Sequence, residues 1–546
     1  MKGLADPFPT GKFPFYNINM RAFLFLFLLP FSSLFGQPAY DLLLKGGKII
    51  DGTGNPWYYG DVGIKDGKIL AIGNLDEKES MKTIFLSGKM VVPGFVDVHT
   101  HIEGRSLNIP TADNFILDGV TTAITGNCGS SFVKIGEYFW KLDSIRTSIN
   151  IASLIGHNSV RAEAMGTSNR DPSPEELKRM EDLVESAMLE GAIGFSTGLI
   201  YVPGTYSKTP EVVRLARASS RYGGVYASHI RNEGDHVLEA IDEAINIGKE
   251  AQMPVEISHF KVTYKPNWGR SVETLRKIED ARNSGIDVTV DQYPYVASST
   301  SLNTLAPSWI FSGGKDSLMA RLKDRSLRKK IKEEMVINLK KKELKDFSYA
   351  LVAGYSADSL LNGKNISAVN RLKGRKHKAF EEAETILEMI EMGGAQMVYF
   401  SMNEEDLRRI MQYPFTMIAS DAGIQRFGAG VPHPRAYGTN ARVLGVYVRE
   451  ARLLKLEEAI RRMTSLPAQR FNIRDRGLIR EGYFADLVIF DEKVIGDQAT
   501  FEKPHAYAKG FSYVFVNGKM VVENGIHQGV RAGVVIRGPG FGKAEP

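Results

Sequence analysis

The sequence predicts an α/β protein: a (β/α)8 TIM barrel joined to a small β-sandwich domain built from both chain termini. Eight apolar, strand-like runs alternate with helical stretches through the middle of the chain, which is typical of βα units around a parallel sheet. Both ends instead consist of short strands separated by Gly and Asp-Gly turns. The length of 546 residues is sufficient for a large barrel with additions.

The eight runs supply the strands of a barrel domain over residues 94–474. In chain order they are GFVDVHTHI, VTTAITGNC, NIASLIGHN, AIGFSTGL, GVYASHI, PVEISHF, DVTVDQYPY and FTMIASDAG. Helical stretches lie between them, and Ser173 followed by Glu176 predicts a capping box at the start of one helix. About residues 296–413 separate the last two runs, which is too long for a simple loop. We therefore predict a helical insertion between strands 7 and 8 that covers the site.

The composite β-sandwich is expected from residues 38–93 and 475–536. Near the beginning YDLLLKGGKIIDGTG, and near the end SYVFVNGKMVVENG, contain alternating apolar and polar residues or short apolar runs, separated by Gly-containing turns. Because both ends share this all-β style, we expect them to pair into a single small sandwich.

Residues 1–36 are predicted to be a leader. From Met20 onward a positive charge precedes an apolar run, which Pro30 breaks before small residues lead to Gln37. This pattern is typical of a secretory signal peptide. We expect an exported, periplasmic protein with no stable membrane insertion after leader removal. A short N-terminal membrane anchor is the alternative, and translation starts at either Met1 or Met20.

Charge and cysteine content exclude some functions. The net charge of +6 comes from 69 basic and 63 acidic residues, so no nucleic-acid partner is expected. Cys128 is the only cysteine, and it cannot form a disulfide within its own chain although export would permit one. Nothing in the sequence indicates an oligomeric state.

Side chains that commonly bind metals follow several of the predicted strands: His99 and His101, Cys128, His229, His259 and Asp421. The carboxyl ends of the strands form the active-site face of a TIM barrel. Residues two apart on a strand point the same way, so both histidines of the HTH motif are expected to face the mouth. Imidazole, thiolate and carboxylate are ligands that zinc prefers, and the sequence therefore predicts a zinc site at this rim. His157 is expected to pack rather than to bind metal, and His433 to be structural.

The run PGFVDVHTH resembles the entry motif of the amidohydrolase superfamily. That superfamily usually has a metal-bridging carboxylated lysine on strand 4, but AIGFSTGLIYVPG contains none, and GNCG ends strand 2 instead. This departure is similar to the N-acyl-D-amino-acid deacylase (D-aminoacylase) branch, in which a cysteine takes the metal-binding role. The motifs GFSTGL, SHFK, DQYPY, SDAG, PHPRAYGTNARVLG and TSLPAQRFNIRDRGLIREGYFADLVIFD also resemble that branch, from about Tyr40 to Asn524.

The resemblance implies a role for each site residue. The tight Zn²⁺ site comprises Cys128, His229 and His259, while His99 and His101 form a possible weaker second site. Asp421 is the catalytic base. The substrate carboxylate is held by Lys261 and Arg435, with Tyr293 and Ser299 close to it.

The function implied by the resemblance is zinc-dependent hydrolysis of the linear amide of a small-molecule N-acyl-D-amino acid to a D-amino acid and a carboxylate. One alternative is a dipeptidase that releases a C-terminal D-residue. Another is a cyclic-amide hydrolase similar to dihydropyrimidinase or dihydroorotase. A non-catalytic zinc-holding protein of the cell envelope is a hypothesis from a different class; Asp421 argues against it, because a binder needs no base.

Overall fold

The computed structural model describes Gly11 and residues 39–543. The predicted leader, residues 1–36, lies outside the described residues apart from Gly11. Among the helices of the described part of the chain, none is long and apolar enough to cross a membrane.

Eight parallel strands form the predicted barrel, and each predicted run contains one of them. Barrel strands 1 to 8 are Phe95–Asp97, Val120–Thr125, Asn150–Ser153 continued by Ile155–Gly156, Gly194–Gly198, Val225–His229, Val255–Ile257, Val288–Gln292 and Thr416–Ile418. Neighbours in this series pair in parallel from strand 1 through strand 8. The barrel closes just beyond strands 8 and 1, where Asp421 N donates to His99 O at 2.9 Å and His101 N to Ala422 O at 2.8 Å. The predicted TIM barrel is confirmed.

Amphipathic helices surround the strands because one face of each is apolar. In the helix Val237–Ala251, the buried residues recur at helical spacing, as at Val237, Ala240, Ile241 and Ala244. The capping box of Ser173 and Glu176 is present at the start of Pro174–Leu189. The other α-helices around the barrel are Glu103–Ser106, Asp113–Ile116, Ile135–Ile145, His157–Met165, Thr209–Ser220, Ser271–Asn283, Arg435–Arg442, Leu456–Met463 and Ser465–Arg470, with Glu404–Gln412 at the end of the insertion, just before strand 8. Val443–Glu450 is a π-helix.

The two chain ends form one nine-stranded sheet. Its strands are Leu42–Ile49, Tyr58–Lys65, Lys68–Gly73, Thr83–Phe85, Met90–Pro93, Leu487–Phe490, Phe511–Val516, Lys519–Glu523 and Ile526–His527. The ends join where Met90–Pro93 pairs antiparallel with Leu487–Phe490. The sheet also curls back on itself, because Lys68 bridges to Phe484. Apolar side chains from both ends, such as Leu44 and Phe515, enclose a core of their own.

The insertion between strands 7 and 8 contains a sheet that the sequence did not predict. Its three antiparallel strands are Ser298–Ser301, Ala350–Gly354 and Gln396–Tyr399. The predicted helices are present as Gly314–Lys323, Arg325–Lys341, Ile366–Leu372 and Ala379–Glu391. A separate hydrophobic core holds these elements together. The sheet escaped prediction because its first strand, SSTS, is polar and half-buried throughout, so it lacks the apolar alternation that indicates a strand.

Candidate metal centre and active site

The six predicted metal-binding side chains meet at the carboxyl ends of the barrel strands. Cys128 Sγ lies 3.3 Å from His99 Nε2, 3.6 Å from His229 Nδ1 and 3.7 Å from His259 Nε2. All of these residues are buried. His101, on the solvent side, reaches Asp421 Oδ1 with its Nε2 at 3.2 Å, and its side chain is 35% exposed.

The donors of Cys128, His229 and His259 fit a zinc ion. Around tetrahedral zinc, with Zn–S about 2.3 Å and Zn–N about 2.0 Å, sulfur and nitrogen lie about 3.5 Å apart and two nitrogens about 3.3 Å apart. The two sulfur–nitrogen distances, 3.6 and 3.7 Å, match this arrangement. The two imidazole nitrogens are 2.7 Å apart, so these rings would separate slightly around the ion.

A second group of donors lies on the other side of the sulfur. His99, His101 and Cys128 bring three ligand atoms within 4.8 Å of one another, and so do His99, His259 and Asp421. Each of these two sets shares a residue, Cys128 or His259, with the group Cys128, His229 and His259. Shared ligands of this kind are expected where two ion positions are neighbours. His101 is the most exposed of these ligands, which agrees with a weaker second site.

The electrostatics of the cluster also favour a cation. Burial opposes ionisation of the Cys128 thiol, but the charge on His99 and hydrogen bonds from the other imidazoles hold its pKa well below 9.0. Burial likewise opposes protonation of His99, yet Cys128 and Asp291 raise its pKa well above 6.5. Protons on His99 and His101, whose pKa values are raised, therefore balance the negative charges of Cys128, Asp291 and Asp421. A divalent cation would meet the same anionic groups.

Asp421 lies between the metal-type donors and Arg435. Its Oδ1 faces the imidazoles, and its Oδ2 is 2.8 Å from Arg435 Nη1. Burial opposes ionisation of Asp421, but Arg435 and the imidazoles hold its pKa well below 3.8. The carboxylate is therefore charged, and it is placed to accept a proton beside the donor cluster.

Arg435 is buried and held by the insertion and by strand 7. Its Nη2 donates to Ser299 O at 3.2 Å, and its guanidinium lies 4.5 Å from the centre of the Tyr293 ring. The Ser299 hydroxyl turns away and donates to Met397 O at 2.7 Å, so Ser299 contributes its backbone to this region. His433 hydrogen-bonds to two backbone groups: its Nε2 donates to Ala297 O at 2.9 Å, and its Nδ1 accepts from Arg435 N. These contacts agree with the structural role predicted from the sequence.

Lys261 lies in the site but is bound to protein groups. Its Nζ donates to Glu233 Oε1 at 2.6 Å and lies 2.8 Å from His259 Nδ1. Its side chain is 3% exposed. Binding of a substrate carboxylate by Lys261 stays a prediction, and Glu233 would have to share the ammonium group with it.

Two carboxylates that contact ligand histidines were missed from the sequence. Glu233 Oε1 lies 3.0 Å from His259 Nδ1, and Asp291 Oδ2 lies 3.1 Å from His99 Nδ1. A ligand histidine usually gives its second ring nitrogen to such a partner. The signals were present, because Glu233 is four residues beyond His229 and Asp291 is at the end of strand 7, as DQYPY shows.

The site opens into a cavity of about 1680 Å³ lined by the loops that follow the strands and by the insertion. Tyr201, from the loop after strand 4, packs edge-on against His229 with ring centres 4.7 Å apart. Its hydroxyl lies 2.9 Å from Thr300 Oγ1 of the insertion. The insertion is therefore part of the wall around the site. His157 is outside this cluster and pairs with Glu211 Oε1 at 2.9 Å, so it packs as predicted.

The barrel, the composite sheet and the Cys–His donor cluster with its adjacent aspartate define a metal-dependent hydrolase. Residues 82–296 and 358–522 match the amidohydrolase family model, and the chain belongs to this family.

Two deacylases from Alcaligenes xylosoxydans xylosoxydans are similar over nearly their whole length. The chain is 36% identical to the D-aminoacylase over 524 residues, 92% of this chain and 98% of that protein. It is 34% identical to the N-acyl-D-glutamate deacylase, over 88% of this chain and 93% of that protein. The predicted resemblance to this branch is confirmed.

Solved structures of the same branch superpose closely. A crystal structure of D-aminoacylase gives a TM-score of 0.80 at 34% identity, covering 91% of this chain and 100% of that one. An N-acyl-D-glutamate deacylase from Bordetella bronchiseptica, complexed with zinc and a phosphonate mimic of the tetrahedral intermediate, gives 0.79 at 34% identity, with 91% and 99% covered.

Proposed function

We propose that the protein is a zinc-dependent deacylase that hydrolyses the linear amide of N-acyl-D-amino acids. The observation that carries the proposal is the position of Asp421, whose two oxygens face the metal-type donors on one side and Arg435 on the other. A carboxylate base, a cluster that fits zinc and a buried guanidinium are the parts that this hydrolysis needs. The similarity to D-aminoacylase supports the choice of substrate.

Zinc, held by Cys128, His229 and His259, would polarise the scissile carbonyl and lower the pKa of water. Asp421 takes a proton from the attacking water and returns it to the leaving amine. Arg435 offers a planar pair of N–H donors to the substrate carboxylate, which holds the amide at a fixed distance from Asp421. Tyr201 and the insertion supply part of the cavity wall around the reacting groups.

The end of strand 4 disfavours the cyclic-amide alternative. Those relatives usually use a lysine there, whereas this strand ends at Gly198. A Cβ at Gly198 would lie 2.1 Å from Cys128 O, so no side chain fits at this position while Cys128 keeps its place. The dipeptidase alternative breaks the same bond beside the same carboxylate and is tested with the same assay.

The proposal is tested by assaying the zinc-loaded protein for release of free amine from paired N-acyl-D- and N-acyl-L-amino acids and from dipeptides ending in a D-residue. We expect turnover of the D-substrates, with the L-substrates as the matched control. A clean preference for the L-enantiomers, or a zinc-loaded protein that releases no amine, would contradict the proposal.

We also propose that the protein is exported and loses its leader. The support is the charged, apolar and small-residue pattern between Met20 and Gln37. N-terminal sequencing of the protein recovered from cell fractions is the test. A mature N-terminus near residue 37 in the periplasmic fraction is expected, and full-length chain retained in the membrane would favour the anchor instead.

A further inference from the structure

Two charged groups converge on a single ring nitrogen of His259, behind the candidate zinc site. Glu233 Oε1 lies 3.0 Å from His259 Nδ1 and 2.6 Å from Lys261 Nζ. Lys261 Nζ lies 2.8 Å from the same Nδ1. The side chains of His259, Lys261 and Glu233 are only 2%, 3% and 13% exposed, so little water can take the place of any partner.

The nitrogen Nδ1 of a neutral His259 can make only one of two hydrogen bonds. It can carry the proton and donate to Glu233, or it can be bare and accept from Lys261. In the first case Nε2 has a free lone pair, and in the second case Nε2 carries the proton. Nε2 is the atom that faces Cys128 Sγ at 3.7 Å, and a metal binds only the unprotonated nitrogen. The two neighbours of Nδ1 therefore favour opposite states of the ligand.

We propose that Glu233 is a positioning residue that favours the zinc-binding tautomer of His259: its carboxylate accepts from Nδ1 and also binds the Lys261 ammonium, the donor that competes for the same nitrogen. The proposal rests on the proposed zinc site.

Backbone contacts place the Glu233 carboxylate where it can accept from His259 Nδ1 and also bind the Lys261 ammonium. Thr263 N and Thr263 Oγ1 donate to Glu233 O at 2.8 and 2.9 Å. These bonds tie the loop after strand 5 to the loop after strand 6, which carries Lys261. Because the two loops are fixed to each other, the Glu233 carboxylate stays within reach of both His259 Nδ1 and the Lys261 ammonium.

The test measures zinc affinity by competition with a chelator, for the full chain and its variants. For Glu233→Gln we expect zinc affinity roughly 10–100-fold below that of the wild type, the range typical of a lost partner behind a ligand. The amide is a weaker acceptor and can itself donate to Nδ1, as Lys261 does, so the state with a proton on Nε2 becomes favoured. A purely structural role for Glu233 would predict an equal loss whatever residue occupies position 261.

The second variant therefore removes the competing donor. Glu233→Gln combined with Lys261→Met should regain most of the lost zinc affinity, because no ammonium is left to donate to Nδ1. Lys261→Met alone measures the plain effect of removing a positive charge near the ion. The gain from Lys261→Met must be larger in the Glu233→Gln background than in the wild type, which is the coupling that a double-mutant cycle isolates.

Glu211→Gln is the matched control. Glu211 Oε1 lies 2.9 Å from His157 Nε2 and 3.3 Å from Arg161 Nε, so it is a buried glutamate between a histidine and a cation, as Glu233 is, but away from the donor cluster. Its substitution should leave zinc affinity unchanged.

The outcomes separate the two proposals. Failure of the wild-type protein to bind zinc would contradict the proposed function itself. Wild-type zinc binding with unchanged affinity in Glu233→Gln, or equal gains from Lys261→Met in both backgrounds, would overturn the role of Glu233 alone. If Glu233→Gln does not fold, the Lys261→Met variant still decides: the proposal expects zinc affinity at or above the wild-type value, and a fall would refute it.

Discussion

Replacing Asp421 with asparagine should abolish most turnover while leaving zinc in place. The substitution keeps the size of the side chain, and its backbone is also compatible, because Asp421 has φ = 51°, a left-handed conformation that asparagine tolerates better than most residues. The candidate tight-site ligands, Cys128, His229 and His259, are untouched. What disappears is the charged oxygen beside the donor cluster and the ionic partner of Arg435, 2.8 Å away.

The expected magnitude follows from the role of the carboxylate. A general acid–base contributes roughly 10²–10⁴-fold to a rate, so kcat should fall by that factor, equivalent to about 3–5 kcal/mol in the activation free energy. The assay is amine release from an N-acetyl-D-amino acid, combined with the zinc content of the purified protein. Asp406→Asn is the control, because Asp406 is also buried, but its carboxylate accepts from Gly269 N and from the Ser271 hydroxyl, away from the donor cluster. A kcat within tenfold of the wild type for Asp421→Asn would refute the reasoning.

Three further predictions concern the candidate zinc ligand Cys128, the candidate substrate-binding residue Arg435 and the buried Asp97. Cys128→Ser should lower zinc affinity sharply, since a hydroxyl stays protonated where the thiol ionises; wild-type zinc retention would overturn its role as a ligand. Arg435→Lys should raise KM at least severalfold, because a point charge replaces a planar pair of donors. An unchanged KM would show that Arg435 does not bind the substrate carboxylate. Burial raises the pKa of Asp97 from 3.8 to about 6, so the folded protein binds a proton between these values and its stability falls as the pH rises through them. At about 1.4 kcal/mol per pKa unit, the change in unfolding free energy is on the order of 3 kcal/mol. Urea unfolding of the zinc-free protein at pH 4 and pH 7 should show this change, and Asp97→Asn should reduce it. The same pH dependence of stability in Asp97→Asn as in the wild type would contradict the prediction.

The barrel could be predicted from the sequence because its strands lie in apolar runs of a recognisable length. The ligand positions could be predicted for the same reason: in a parallel barrel, every residue that follows a strand reaches the same rim. Cys128 and His259 are 131 residues apart in sequence, yet topology alone brings their side chains together. No detail of packing was needed for this inference.

Contacts made within the rim could not be predicted in the same way. The strand pattern places Lys261 near His259, but it does not indicate that Glu233 contacts both of them, because that depends on how two loops pack. The same limit applies to Asp291, which reaches His99 from strand 7. The first strand of the insertion escaped prediction because its pairing partner, not its own sequence, makes it extended.

An unusual backbone conformation accompanies the convergence of these side chains at the rim. Cys128, His259 and Asp421 follow strands 2, 6 and 8, and all three have left-handed φ values, 53°, 38° and 51°. Such conformations cost of order 1–3 kcal/mol for residues other than glycine, so surrounding contacts must hold them.

Those contacts come from the rim itself. His259 N donates to Asp291 Oδ1 and Asp421 N donates to His99 O, both at 2.9 Å. Gly198 lets the Cys128 backbone approach so closely that a Cβ would lie 2.1 Å from its carbonyl oxygen. Folding of the barrel therefore enforces these turns and sets the positions from which the three side chains converge.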